Sequence, residues 1–132
     1  MNSNLVLDTG VLTLYFAGDS RVKGFFDEIS EERAVGLISE INLAEYYYNA
    51  CRKLGRETAD SRYFMLRASK LLIVNDERLT RLAALEKCRQ RLDLSLGDCF
   101  ALALAKREGA TLLTTDRELK RTKDVQVKLF PV

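Results

Sequence analysis

Histidine and tryptophan are absent from the 132-residue sequence, and proline occurs once. Without histidine there is no Ser-His-Asp triad, no Cys-His pair and no His-ligated zinc site. An RNA-cleaving site that uses two histidines as acid and base is excluded as well. Any enzymatic chemistry falls to carboxylates, Lys, Tyr, hydroxyls or a bound metal. Cysteine is scarce. Cys51, Cys88 and Cys99 are odd in number and none belongs to a C-x-x-C, which argues against a disulfide framework or zinc site and for a reducing interior. Long apolar runs are missing too. The longest unbroken one spans residues 99–105, far short of the roughly 18 residues of a membrane span. The opening Met1-Asn-Ser-Asn4 has neither the basic region nor the apolar stretch of a secretory signal. The expectation is a cytoplasmic protein.

What is present reads as one globular domain over residues 1–132. Hydrophobic residues make up 47% and charged residues 30%, a balance that argues against disorder. Short apolar runs alternate with longer amphipathic ones. Strands are expected at residues 4–7, 34–38, 71–74, 111–114 and 125–130. Helices are expected at 11–16, from an Asp19 cap through about 31, from a Ser39 cap to Gly55, then at 58–69, 77–91, from a Ser95 cap to Gly109, and at 116–121. In the Ser39-capped helix, Ile41, Ala44, Tyr48 and Cys51 recur at helical spacing and are expected to form its apolar stripe. Strands alternating with helices imply a three-layer α/β/α architecture around a central, mostly parallel, five-stranded sheet. In such sheets ligands bind beyond the carboxyl ends of the strands.

Four carboxylates point to that edge. Asp8 directly follows the first strand and Asp116 the fourth. Asp98 lies in the first turn of the Ser95 helix, which continues as a nearly all-apolar run. Glu45 lies between Ile41 and Tyr48, on or beside the expected stripe. Four carboxylates close together repel one another, and they persist where a divalent cation neutralises them. Hard oxygen donors with positions left for water and phosphate suit Mg²⁺ or Mn²⁺. Each acid also has a plainer use. Asp8 and Asp116 can cap the helices that follow them, Ser95-Leu-Gly-Asp98 reads as a capping box, and Glu45 can pair with an Arg. Asp76 follows the third strand and competes for membership.

The chain resembles the PIN-domain family, metal-dependent ribonucleases that include VapC-type toxins. The resemblance rests on Leu5-Val-Leu-Asp-Thr-Gly-Val-Leu12, Ser39-Glu-Ile-Asn-Leu-Ala-Glu45, Ser95-Leu-Gly-Asp-Cys-Phe-Ala-Leu-Ala-Leu-Ala105 and Gly109-Ala-Thr-Leu-Leu-Thr-Thr-Asp116, in that order. It implies that Asp8, Glu45, Asp98 and Asp116 form the catalytic, metal-binding acidic set. Thr114 and Thr9 match supporting hydroxyl positions, and Asp76 is set aside at a sheet edge. Gly10 stands where many relatives have Asn or Ser, and Leu119 where many have Phe. The resemblance further implies Mg²⁺- or Mn²⁺-dependent hydrolysis of RNA that leaves a 5′-phosphate, a cognate antitoxin protein and a homodimer. The alternatives are a non-catalytic RNA- or protein-binding module and an RNA-processing nuclease that is not a toxin.

The sequence carries 21 basic and 19 acidic residues, a net charge of +2. With the four acids set aside, 15 acidic residues remain and the excess is +6. Basic surface around an acidic pocket attracts a phosphate backbone. Arg52, Lys53, Arg56, Lys120 and Arg121 are candidates, with Arg117, beside Asp116, the first choice for RNA binding. Tyr46-Tyr-Tyr48 is expected to divide between core and a subunit interface. Tyr47, Tyr63, Phe64 and Leu66 offer apolar surface for a second copy. Asp8-Thr-Gly10 also matches an aspartic-protease signature, but those folds are all-β and this chain is rich in helix. A dehalogenase-type phosphatase needs an Asp where Gly10 stands.

Overall fold

The computed structural model describes residues 3–132. Among them the chain forms, in order, β1 (Ser3–Leu7), α1 (Thr9–Phe16), α2 (Ser20–Ser30), β2 (Ala34–Ser39), α3 (Glu40–Leu54), α4 (Arg56–Ala68), β3 (Leu72–Val74), α5 (Glu77–Arg89), α6 (Leu96–Glu108), β4 (Thr111–Thr114), α7 (Arg117–Lys120) and β5 (Val127–Leu129). The strands form one sheet in the order β3-β2-β1-β4-β5, and all four neighbouring pairs are parallel. β1 is therefore central, with β2 on one side and β4 on the other.

The three central strands, β2, β1 and β4, bury side chains on both faces, as a covered parallel sheet requires. Leu5, Leu7, Ile38 and Leu113 enter one core with residues of α1 to α4. Val6, Leu37 and Leu112 alternate into the other, with residues of α5, α6 and α7. The period of two along the strands separates the two cores. α6 is buried continuously from Cys99 to Ala105, which accounts for its apolar run. Cys99 belongs to that core, Cys51 packs beside the other, Cys88 is exposed, and all three are free thiols.

Some boundaries depart from expectation for local reasons. α4 begins at Arg56 rather than 58 because Gly55, at φ +91°, turns the chain sharply enough for one residue to end α3 and start α4. α1 begins at Thr9 because Asp8 caps it immediately. The expected stripe of α3 is a larger departure. Its buried residues are Asn42, Leu43, Tyr46 and Ala50. Ile41 and Tyr48 are exposed instead, and Ile41 and Ala44 line a cleft between α3 and α4. An asparagine displaces an isoleucine from the interior because its amide is fully hydrogen-bonded there. Among the described residues no helix is long and apolar enough to cross a membrane.

Candidate active site

The carboxyl ends of β1 and β4 meet at Asp8. Its backbone N–H donates to Leu113 O at 3.0 Å, locking it to the neighbouring strand. Its side chain is 5% exposed. Oδ1 accepts the Thr9 N–H at 2.9 Å, and Oδ2 accepts the Thr114 hydroxyl at 2.7 Å. The same hydroxyl accepts the Asp116 N–H at 3.0 Å. One threonine thus joins the two acids that follow adjacent strands.

Glu45 approaches from α3. Its Oε1 accepts from the Thr9 hydroxyl and from Asn42 Nδ2, both at 3.3 Å. Asn42 is fully buried. Its amide also donates to Gly97 O at 3.0 Å, and its Oδ1 accepts the Ser39 hydroxyl at 2.6 Å. This single side chain ties β2, α3 and the first turn of α6 together around the Glu45 carboxylate. Gly97 leaves the space that the carboxylate occupies.

Asp98 stands on the first turn of α6. The Ser95–Asp98 capping box is complete: Asp98 N–H donates to Ser95 Oγ, and Ser95 N–H to Asp98 Oδ2, both at 3.0 Å. Asp116 caps α7 by accepting the Glu118 N–H at 2.9 Å. The capping roles are therefore real for Asp8, Asp98 and Asp116. They do not exclude chemistry. Each cap engages one oxygen of Asp98 and Asp116 and leaves the second without a backbone donor.

The four acids feel one another. Burial raises the Asp8 carboxyl from 3.8 to about 6; the Thr114 and Thr9 hydrogen bonds oppose the rise, and the charges of Glu45 and Asp116 add to it. Asp98 is pushed up to about 7, first by burial and then by the Asp8 charge, with Asp116 adding to the rise. Among the described residues no Lys or Arg forms an ion pair with Asp8, Glu45, Asp98 or Asp116. Nor, among those residues, are three Asp, Glu or Cys side chains drawn to a common coordinating centre. The four acids are neighbouring hard oxygen donors with, among the described residues, no protein cation to balance them, and it is this donor chemistry, not a preformed coordination sphere, that suits Mg²⁺ or Mn²⁺ over a soft metal.

The remaining candidates fall elsewhere. Asp76 caps α5 and pairs with Arg107 at 2.9 Å, which holds its carboxyl below the usual range. Arg107 is nine residues along α6 from Asp98, about 13 Å by helical rise, so Asp76 stays outside the cluster. Glu45 pairs with Thr9 and Asn42 rather than with an Arg. Arg117 is exposed beside Asp116. Arg121 pairs with Glu118, Arg56 with Asp60, and Lys120 bonds the Val127 carbonyl. Tyr46 is buried, Tyr47 half-buried and Tyr48 exposed, dividing the run between core and surface. Leu66 belongs to the core and offers no interface surface, whereas Phe64 is exposed. At Gly10 a Cβ would stand 2.1 Å from Thr115 Oγ1. The hydroxyl of Thr115 thus occupies the space that a larger residue at position 10 would need. Asn42 and Gly97 were not singled out by sequence reasoning. The available signal was an Asn one helical turn before Glu45.

A family model described as PIN domain matches residues 5–125. No curated protein sequence matches the chain. Among solved structures, VapBC2 from Rickettsia felis, bound to a DNA fragment from its promoter, superposes with a TM-score of 0.75 at 19% identity, covering 95% of this chain and 97% of that one. A toxin–antitoxin complex from Klebsiella pneumoniae gives 0.69 at 18% identity, covering 97% and 99%. VapC20 from Mycobacterium tuberculosis, described as a sarcin–ricin-loop-cleaving toxin, gives 0.66 at 18% identity, covering 82% and 86%. At these identities the likeness is one of fold.

Proposed function

The chain belongs to the PIN domain family, and on that premise we propose that it is a divalent-metal-dependent endoribonuclease, the toxin of a toxin–antitoxin pair. The observation that carries the reading is the acidic edge: a nearly buried Asp8, with Glu45, Asp98 and Asp116 beside it and, among the described residues, no cationic side chain in an ion pair with them. Proteins rarely keep uncompensated buried carboxylates without a use for the charge.

Asp8, Glu45, Asp98 and Asp116 would hold Mg²⁺ or Mn²⁺, which when bound supplies activation of water and neutralisation of phosphate charge. The side chains divide the remaining work. Asp8 is fixed by two hydrogen bonds and a strand, so it serves as the rigid reference of the site. Thr114 holds Asp8 and the Asp116 backbone in one register. Thr9 and Asn42 orient Glu45. Asp98 and Asp116 each keep one oxygen on a helix cap, and the other would be offered to the metal. Hydrolysis joins the water oxygen to phosphorus, breaks the bond to the 3′ oxygen and leaves a 5′-phosphate.

The exposed stripe of α3 and the neighbouring Phe64 and Met65 of α4 support an interface with a second copy. The toxin–antitoxin descriptions of the similar structures support an antitoxin partner. The test of the activity is cleavage of a mixed RNA pool with and without Mg²⁺ or Mn²⁺. Metal-dependent cleavage that is lost in Asp8→Asn supports the reading; a metal-loaded parent that cleaves no RNA overturns it.

A further inference from the structure

A cleft of about 300 Å³ opens where α1, α3 and α4 meet, lined by Thr13, Phe16, Tyr46, Asn49, Lys53 and Arg62 among others. Its position follows from helical spacing. Thr13 is one turn beyond Thr9 on α1, and Asn49 and Lys53 are one and two turns beyond Glu45 on α3, about 6 and 12 Å along the axis. Thr9 and Glu45 are hydrogen-bonded to each other. The cleft is therefore the continuation, along the same two helix faces, of the acidic edge.

Its charge is opposite to that of the edge. Arg62 lies with its guanidinium carbon 4.8 Å from the Phe16 ring centroid and donates from Nη1 to Tyr46 Oη at 3.0 Å. Phe16 and Tyr46 are themselves stacked, with centroids 5.6 Å apart. The guanidinium is thus held in place by neutral groups, which leave its charge whole and its other N–H donors available. Among the described residues neither Arg62 nor Lys53 has a carboxylate partner, and the Asp60 carboxylate of α4 is engaged by Arg56 and Tyr47. A fixed cation, an exposed cation and two small polar side chains, Thr13 and Asn49, give a cleft otherwise lined by Phe16, Tyr46 and aliphatic groups a positive charge beside a cluster of negative charge.

We propose that this cleft binds the phosphate backbone of single-stranded RNA flanking the scissile bond, with Arg62 and Lys53 each contacting a phosphate; this rests on the ribonuclease reading above. The acidic edge would hold the scissile phosphate only through its metal, and a strand leaving it along α1 and α3 meets the cations next.

The experiment measures steady-state cleavage of a labelled single-stranded oligoribonucleotide, with Mg²⁺ or Mn²⁺, across a salt series. The proteins are the parent, Lys53→Gln, Arg62→Gln, Arg62→Lys and the control pair Arg78→Gln/Arg81→Gln on α5, each with a melting curve. Lys53 is exposed, so its loss leaves the fold intact. Expected are a several-fold rise in KM for Lys53→Gln and Arg62→Gln and a kcat within twofold of the parent. The salt slope of log KM should flatten by about 0.7 for each charge removed. Arg62→Lys recovers part of the affinity, and the control pair leaves KM unchanged. A parent that cleaves while Lys53→Gln and a folded Arg62→Gln both keep its KM and salt slope overturns the cleft alone. A metal-loaded parent that cleaves no RNA overturns the activity on which the proposal rests.

Discussion

Glu45 occupies the side-chain space that Gly97 lacks: a Cβ at position 97 would stand 1.9 Å from Glu45 Oε1. Two residues from different helices share one volume, and only the absence of a side chain on α6 lets the carboxylate sit where it does.

The substitution Gly97→Ala separates fold from chemistry. The colliding atom is the far end of a flexible side chain, which can move aside at little cost. Alanine also favours the helix by about 1 kcal/mol over glycine. The melting temperature should hold or rise, while displacement of Glu45 lowers RNA cleavage by about a hundredfold. Cleavage at the parental rate by a well-folded variant would remove Glu45 from the site.

Asp8→Asn should lower cleavage roughly a thousandfold, several kcal/mol of barrier. Asparagine is nearly isosteric and its oxygen still accepts from Thr9 or Thr114. A purely capping Asp8 would lose a little stability and nothing else. Relief of repulsion from Glu45 and Asp116 should instead raise the melting temperature of the metal-free protein. Paired melting and cleavage measurements on parent and variant distinguish the two.

The raised carboxyls also set a pH dependence. Below 3.8 both acids are protonated in folded and unfolded chains alike. Between 3.8 and about 7 the unfolded chain releases protons that folded Asp8 and Asp98 retain. Folding then takes up protons, so the stability of the metal-free protein falls as pH rises through this window and levels off above it. Mg²⁺ needs the ionised forms, so the stabilisation it confers grows over the same range. Melting curves of parent and Asp8→Asn, with and without Mg²⁺, should diverge in that direction. A parent-to-variant difference that stays constant across the window would contradict it.

The α3–α4 surface should support a homodimer. Ile41, Tyr48, Phe64 and Met65 are exposed, and sedimentation at micromolar concentration should give twice the 15.0 kDa chain mass. Phe64→Glu should yield a folded monomer, since this residue is 64% exposed in the single chain, with the melting temperature falling only by what dimerisation contributes. A parent that sediments as a monomer rules the interface out.

By itself the sequence determined what depends on near neighbours. The lack of histidine left any chemistry to carboxylates, Lys, Tyr, hydroxyls or a bound metal. Ser39, Ser95, Asp8 and Asp116 cap the helices they precede because a cap hydrogen bond spans only one to three residues. The alternation of apolar runs and amphipathic segments specified a covered parallel sheet, because a strand buried on both faces must be apolar throughout.

Tertiary structure alone decided which elements meet. The ladder of backbone hydrogen bonds carries no residue-specific information, so the order β3-β2-β1-β4-β5 is set by how the helices cover the two faces. That order puts Thr114 against Asp8 across 106 residues of chain. The same limit hid the true face of α3. Helical spacing places Ile41 on the apolar stripe, yet the fold exposes it and buries Asn42, because Ser39, Thr9, Glu45 and Gly97 together satisfy the Asn42 amide. A buried polar group is stable only with all its partners in place, and partners drawn from four separate elements exist only once the chain has folded.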